Sequence, residues 1–335
     1  MQKKKNSKKK SGVSVIICCY NSVSRLQLTL GHLAKQKVPD GFLWEIILVN
    51  NASTDETVKY ARETWEKLQP ASKVLKIIDE DTPGQMYARK KGAREAQYDC
   101  LIFCDDDNLL DENYVALSAE ILTDNKSVGA VGGQNHPVTN ASEYPTWFET
   151  FKDKYAIGIP AKHSGDITHR GFILGAGLIT RKKLFLDIFH EKYPSLLNGR
   201  KGENLSTGDD FEYCKRLLLW GYRLYYDQRL LLDHYIPQER LTLDYRERLM
   251  KGIDDAGKIL NEYDLTLKII NKIKKKNKLR LMFITPFRIL FAKLKFSKRN
   301  LEEEELVLFY LNPFKTADGS VRSCIRNFMN RHSFH

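Results

Sequence analysis

No window of the 335-residue chain holds the roughly 18–20 consecutive apolar residues that a membrane-spanning helix needs. The basic start has no apolar core behind it, so a secretory signal peptide is not expected either. Cysteine is scarce, with six residues and no metal-ligand spacing among them. Cys18 and Cys19 are adjacent inside an apolar run, and Cys100 and Cys104 flank another. Such placement suits small buried hydrophobes in a reducing compartment rather than disulfides. A phosphate-cradling glycine loop of either the GxGxxG or the GxxxxGK[ST] kind is also missing, which disfavours dehydrogenases and P-loop ATPases. Finally, two stretches lack acids altogether. Residues 1–10 carry six lysines, and residues 265–300 carry twelve Lys or Arg. Without those segments the body holds 36 basic against 42 acidic residues, net −6, although the whole chain is +12. Nucleic acid is therefore not the expected partner of the body, while the basic segments suit an anionic lipid surface or RNA. The expected location is cytoplasmic, peripheral on the inner face of the cell membrane.

What the chain does have is organised around Tyr98–Asn108, YDCLIFCDDDN. The apolar Leu101–Cys104 reads as a strand buried on both faces, as in a parallel sheet. Asp105, Asp106 and Asp107 follow at its end, at the carboxyl edge where open α/β sheets bind ligands. Left unneutralised they would repel one another, and a hard divalent cation with oxygen ligands is the simplest remedy. The plainer alternative is an acidic turn feeding a helix near Asp111.

Upstream, Val13–Cys19 and Trp44–Val49 read as buried strands and Val74–Ile78 as a third, with helices through Leu26, Leu30 and Leu33, from Thr54 or Asp55 to about Leu68, and over Met86–Ala96. Alternating strands and helices give an α/β fold with a mostly parallel sheet flanked by helices. Right-handed crossovers bring Tyr20, Asn50 and Asp105–Asp107 to one edge. The residues there suit a nucleotide: Tyr20 as a stacking face, Asn50, Asn51 and Ser53 for base and ribose, and Arg89 or Lys90 for phosphate.

Taken in order, SVIICCYN (Ser14–Asn21), EIILVNNASTDET (Glu45–Thr57), PGQMYARKKG (Pro83–Gly92), FCDDDN (Phe103–Asn108), GFILGAGLITRK (Gly171–Lys182) and TGDDFEYCKRLLLWGYRL (Thr207–Leu224) form an ordered set. That set resembles the family-2 glycosyltransferases, inverting enzymes of the GT-A nucleotide-sugar-binding fold. The resemblance covers about residues 12–240 and implies a nucleotide-diphosphate sugar donor, a glycan or lipid-linked glycan acceptor, and Mn2+ or Mg2+ as cofactor. It implies a donor site including Tyr20, Asn21, Asn50, Ser53, Arg89, Asp105 and Asp106, with Asp107 at the metal-ligand position and Asp105 nearer the ribose. Asn50 stands where the family usually has Asp, which leaves the base open.

In the second half, Gly175-Ala176-Gly177 either lets backbone approach a ligand or makes a bend; the family's comparable segment lines the sugar pocket. Trp147, Phe148, Phe151 and Tyr155 either stack on the acceptor or roof the core, the roof being favoured. Asp209 and Asp210 open a helix, where an acid can cap the helix or serve as the base that takes the acceptor hydroxyl's proton. By resemblance Asp210 is the base, and Asp209 binds acceptor or orients it. His234 follows the last core strand, where some relatives use His to complete the metal shell with Asp107 and Asp105. The family's processive Gln-x-x-Arg-Trp motif is not matched by Gln238-Glu239-Arg240-Leu241, so addition of one or few sugars is expected.

The expected organisation is a disordered basic tail (1–11), a GT-A-like catalytic domain (12–240, split into a nucleotide-binding half, 12–125, and an acceptor-binding half, 126–240), and a C-terminal basic helical region (241–335). Within the last, Leu241–Leu260 and Leu265–Lys278 read as helices. A further helix would be capped by Thr285 with Pro286 in its first turn. That helix sets Phe287, Leu290, Phe291 and Leu294 on one face and Arg288, Lys293 and Lys295 elsewhere, the pattern of an interfacial helix on anionic lipid. Competing readings are a nucleotidyltransferase, an inactive glycan-binding or scaffold protein, and an RNA binder acting through the basic segments.

Overall fold

A computed structural model describes residues 12–68, 75–201, 205–275, 278–294, 298–311 and 320–330; the basic tail at 1–11 lies outside them. Strand β1 (Val13–Cys19) sits between β2 (Trp44–Asn51) and β4 (Cys100–Asp105), and β3 (Leu75–Glu80) lies outside β2, all four parallel. Val15, Ile16 and Ile17 are fully buried, as the unbroken apolar run requires of a strand covered on both faces. Each such side chain contributes roughly 1.5–3 kcal/mol by leaving water. Helices α1 (Leu26–Ala34), α2 (Thr57–Leu68) and α3 (Gln85–Glu95) make the crossovers, and Leu26, Leu30 and Leu33 are the buried stripe of the first.

Register explains the site. Cys18 pairs with Asp105, Cys19 with Asn50, and Asn50 with Asp79. The ends of β1, β2 and β4 are thus level, and Tyr20, Asn50 and the three acids share one edge. Beyond β4 the sheet becomes mixed. After α4 (Tyr114–Asp124) come β6 (Val128–Val138), the four-residue helix α5 (Phe148–Phe151), the short β7 (Gly165–Asp166) and β8 (Leu178–Arg181). Helices α6 (Lys182–Ile188) and α7 (Asp209–Leu219) precede the 13-residue β9 (Arg223–Tyr235). β8 runs antiparallel to β4 and β6, while β9 runs parallel to β6.

Two details depart from the sequence reading. Asn108–Leu110 forms a short strand, β5, antiparallel to β9 with Asn108 opposite His234, and α4 starts only at Tyr114. β9 stays one strand because the register against β6 shifts between Gly132 and Gln134 and absorbs the polar residues between its two apolar runs.

The chain divides into two compact units, Met1–Ala256 and Gly257–His335, whereas a boundary near 240 was read from the sequence. Helix α8 (Leu243–Lys274) is continuous where two helices were expected; its 32 residues include no Pro to stop it. In the second unit, α9 (Lys278–Leu294), α10 (Lys298–Leu311) and α11 (Val321–Asn330) follow. Ile269, Ile273, Leu281, Leu306 and Val307 form a small core there. Pro286 lies inside α9 rather than in its first turn. Apolar residues on both sides of it, including the buried Leu281 and Ala292, carry the helix through at the loss of one backbone hydrogen bond. Thr285 is fully buried instead of capping, and its hydroxyl has no partner.

Candidate active site

The tight turn between β4 and β5 is built by Asn108. Its Oδ1 accepts the Asp105 N–H at 2.9 Å and its Nδ2 donates to Asp107 Oδ1 at 3.1 Å. Each acid of the turn then meets its own arginine. Asp106 accepts from Arg25 Nη2 at 2.6 Å and from the Ser22 hydroxyl, while Thr29 donates to its carbonyl at 2.9 Å. Asp105 Oδ1 accepts from Gln85 Nε2 at 2.8 Å and lies 3.5 Å from Arg89 Nη2. Asp107, 3% exposed, accepts from Arg240 Nη1 at 2.6 Å, and His234 Nε2 stands 3.4 Å from its other oxygen. Burial alone would raise Asp107, but His234 and Arg240 hold it well below the usual carboxylate range.

Arg89, expected to reach phosphate, is an internal tie instead. It is 4% exposed and donates to Asp209 Oδ2 at 2.7 Å, so it links the end of β4 to the start of α7. Lys90 lies over the Phe189 ring, 5.4 Å from its centroid. Asp209 is buried against Arg89, whereas Asp210 is only half-buried. Asp210 accepts the Gly175 N–H at 2.6 Å and the Phe211 N–H at 2.9 Å. Burial, and then Asp209, push Asp210 up to about 7. Burial raises Asp209 as well, with Arg89 opposing. The two neighbours are therefore different tools: Asp209 is anchored to Arg89 and Asp210 is a less buried carboxyl that titrates near neutrality.

The glycine segment shares this corner. A Cβ on Gly175 would stand 3.0 Å from both Arg89 Nη2 and Asp210 Oδ2. Gly177 has φ +73°, and a Cβ there would come within 2.4 Å of the Tyr114 hydroxyl, so only glycine fits. Ala176 is buried in the main core. Trp147 belongs to a second apolar cluster with Phe148, Tyr155, Leu241 and Tyr245. Tyr155 donates to the Arg240 carbonyl at 3.1 Å, which joins that cluster to the acid turn.

Along the same sheet edge, at the end of β1, Tyr20 is 39% exposed. Asn21, in the left-handed region at φ 48°, accepts from the Thr54 N–H at 2.8 Å, and its own N–H donates to Ser53 Oγ at 3.1 Å. These two residues stitch the loops after β1 and β2 together. Asn50 Nδ2 donates to Asp79 at 2.8 Å, while its Oδ1 is buried without a partner.

The Glycosyl transferase family 2 model matches residues 14–183, half of the chain. The chain belongs to glycosyltransferase family 2. Among curated members, a poly-β-1,6-N-acetyl-D-glucosamine synthase of Staphylococcus epidermidis is 24% identical over 228 residues, 68% of this chain and 50% of that protein. The chain spans about half the length of the curated relatives it matches. Among solved structures, S. aureus TarS 1-349 in complex with UDP-GlcNAc aligns with a TM-score of 0.50 at 16% identity, over 96% of this chain and 91% of that one. GalNAc-T7 with UDP, GalNAc and Mn2+ aligns with a TM-score of 0.50 at 16% identity, over 68% of this chain and 44% of that one. At such identities the shared property is the fold, the GT-A arrangement expected of a family-2 chain.

The family implies a divalent cation. Among the described residues no three His, Cys, Asp or Glu side chains are grouped closely enough to hold one alone. Asp107 Oδ1 and His234 Nε2 do stand side by side, 3.4 Å apart. This oxygen and nitrogen pair fits one side of a Mn2+ or Mg2+ shell whose remaining ligands are phosphate and water. Asp105, the third expected ligand, faces Gln85 and Arg89. The sequence reading missed Arg25, Gln85 and Arg240. The triple acid itself was the signal for the two arginines, which with Arg89 supply the three counter-charges that three buried or half-buried carboxylates need; the neutral Gln85 had no such signal.

Proposed function

We propose that this chain is a metal-dependent inverting glycosyltransferase that moves a sugar from a nucleoside-diphosphate sugar to a hydroxyl of a glycan or lipid-linked glycan. The observation that carries the proposal is the ion-pair chain Asp105–Arg89–Asp209, which ties the acid turn at the sheet edge to the helix start bearing Asp210. Donor site and base are thereby held on one rigid link. Asp210, half-buried and titrating near 7, takes the proton of the acceptor hydroxyl as its oxygen attacks the anomeric carbon. The bond from that carbon to the phosphate oxygen breaks on the opposite face, and the nucleoside diphosphate leaves. Gly175 N–H orients the Asp210 carboxylate, and Asp209 stays with Arg89. A divalent cation on Asp107 and His234 would neutralise the charge that develops on the leaving diphosphate.

Uridine is the favoured base. The unpaired buried Oδ1 of Asn50 is an acceptor for the imide N–H of uracil, and a UDP-sugar agrees with the ligands named for the fold neighbours. Tyr20 is the stacking face. The test is sugar transfer by the wild type and Asp210→Asn: the variant keeps UDP-sugar binding and loses transfer.

A second reading concerns α9. Phe283, Phe287, Leu290, Phe291 and Leu294 are 55–75% exposed and recur at steps of one, three or four. Such a stripe on a segment rich in Lys and Arg supports peripheral binding to an anionic membrane, where a lipid-linked acceptor would lie. No helix among the described residues is long and apolar enough to cross a membrane.

A further inference from the structure

Arg240 lies in the short turn Gln238–Arg240 that follows β9, and its guanidinium occupies the carboxylate on which the metal assignment rests. Arg240 Nη1 is 2.6 Å from Asp107 Oδ2, while Asp107 Oδ1 faces His234 Nε2 at 3.4 Å and Asn108 Nδ2 at 3.1 Å. Both oxygens of a nearly fully buried carboxylate are therefore engaged. A guanidinium and a divalent cation cannot crowd onto one such group, because their mutual repulsion is poorly screened in a buried site. Further positive charge is close by: Arg25 and Arg240 repel one another, and Arg200 contributes to the field at Asp107.

We propose that Arg240 is an internal competitor for the metal position: it neutralises Asp107 until a divalent cation arrives with the donor, and then gives up Asp107 for the donor's diphosphate. This rests on the donor reading above only for the second partner of Arg240; the competition itself does not need a nucleotide. Two features make the exchange workable. Arg240 reaches Asp107 by the end of a long side chain, so the guanidinium can swing while the backbone stays. The backbone is fixed from behind by Tyr155, whose hydroxyl donates to the Arg240 carbonyl, and by the flanking Ile236 and Leu241, buried in the aromatic cluster. By linkage, a nucleotide that draws Arg240 away must tighten the metal, and the metal must tighten the nucleotide by the same factor.

The test is Mn2+ binding to the full chain without nucleotide, read as free Mn2+ by electron paramagnetic resonance, for wild type, Arg240→Gln, Arg25→Gln and Asp107→Asn/Arg240→Gln. Circular dichroism verifies folding, and the neutral Arg240→Met replaces Arg240→Gln should the latter not fold. Arg240→Gln is expected to bind Mn2+ about tenfold more tightly than wild type or better. Arg25→Gln removes the same charge from Asp106 and is expected to change the affinity by less than about threefold, while the double variant loses the gain. Adding UDP should tighten Mn2+ in wild type by more than in Arg240→Gln. Equal or weaker Mn2+ binding by Arg240→Gln overturns the proposal, and so do equal gains in the Arg240 and Arg25 variants. Failure of UDP to bind any variant would instead strike the donor reading while the nucleotide-free comparison stands.

Discussion

Replacing Asp210 by Asn should make the protein more stable at pH 8 and at the same time inactive. Burial and the neighbouring Asp209 lift the Asp210 pKa from 3.8 to about 7. The unfolded chain ionises first, so this residue withdraws stability as pH rises from about 4 to about 7, and the loss is complete above that. Keeping the carboxylate ionised in the fold then costs about 4 kcal/mol. Asparagine is neutral throughout and escapes the cost. Its amide, however, offers one acceptor where the carboxylate takes the N–H groups of Gly175 and Phe211, and stranding one donor costs about 1–3 kcal/mol. The net gain is about 1–3 kcal/mol at pH 8, a rise of roughly 2–10 °C in Tm for a unit of this size. At pH 5 the gain disappears and the variant is level with wild type or slightly below it. Transfer should fall about 100- to 10,000-fold, the usual contribution of a general base. Scanning calorimetry at both pH values with a sugar-transfer assay decides the matter. A Tm difference independent of pH, or undiminished transfer, refutes the reasoning.

The same carboxyl sets the pH profile: kcat/KM should climb with pH and level off above an apparent pKa of about 7, and a flat profile from pH 5.5 to 8 would contradict Asp210 as the base. Asp107→Asn should weaken Mn2+-dependent UDP-sugar binding about tenfold or more by calorimetry, with unchanged affinity counting against the metal assignment. Asn50→Ala should weaken UDP about 5- to 10-fold, by the loss of one hydrogen bond, and reduce the preference for UDP over CDP; an unaltered preference removes Asn50 from base recognition. Phe291→Glu should release the protein from anionic vesicles in a sedimentation assay, and continued sedimentation discredits the α9 reading.

The parallel half of the sheet was legible because its signals are local. VSVIICC, WEIILV and LIFC are apolar runs that a two-sided parallel sheet demands, and β1 spans Val13–Cys19 as read. Parallel register then levels their ends, so Asn50 and Asp105 meet at one edge without further information. What escaped depended on long-range partners. Nothing near Arg240 in sequence announces Asp107, 133 positions away; only the β5–β9 pairing brings that turn round. Arg89 reads locally as a solvated helix residue and acquires its role from Asp209, 120 positions on. The acid turn was read as calling for a metal, and the structure meets much of that need with Arg25, Arg89 and Arg240. Pro286 misled because a first-turn proline is the usual inference, and only tertiary burial of Leu281 and Ala292 sustains a helix through it.

The most direct measurement is thermal unfolding of the full chain with a panel of nucleotide sugars, each with and without Mn2+. At a ligand concentration about 100 times Kd the native state gains about 2.7 kcal/mol, so a UDP-sugar with Mn2+ should raise Tm by roughly 5–10 °C, while Asp107→Asn shows little response. If no nucleotide sugar moves the transition, with or without the metal, the acid edge is not a donor site.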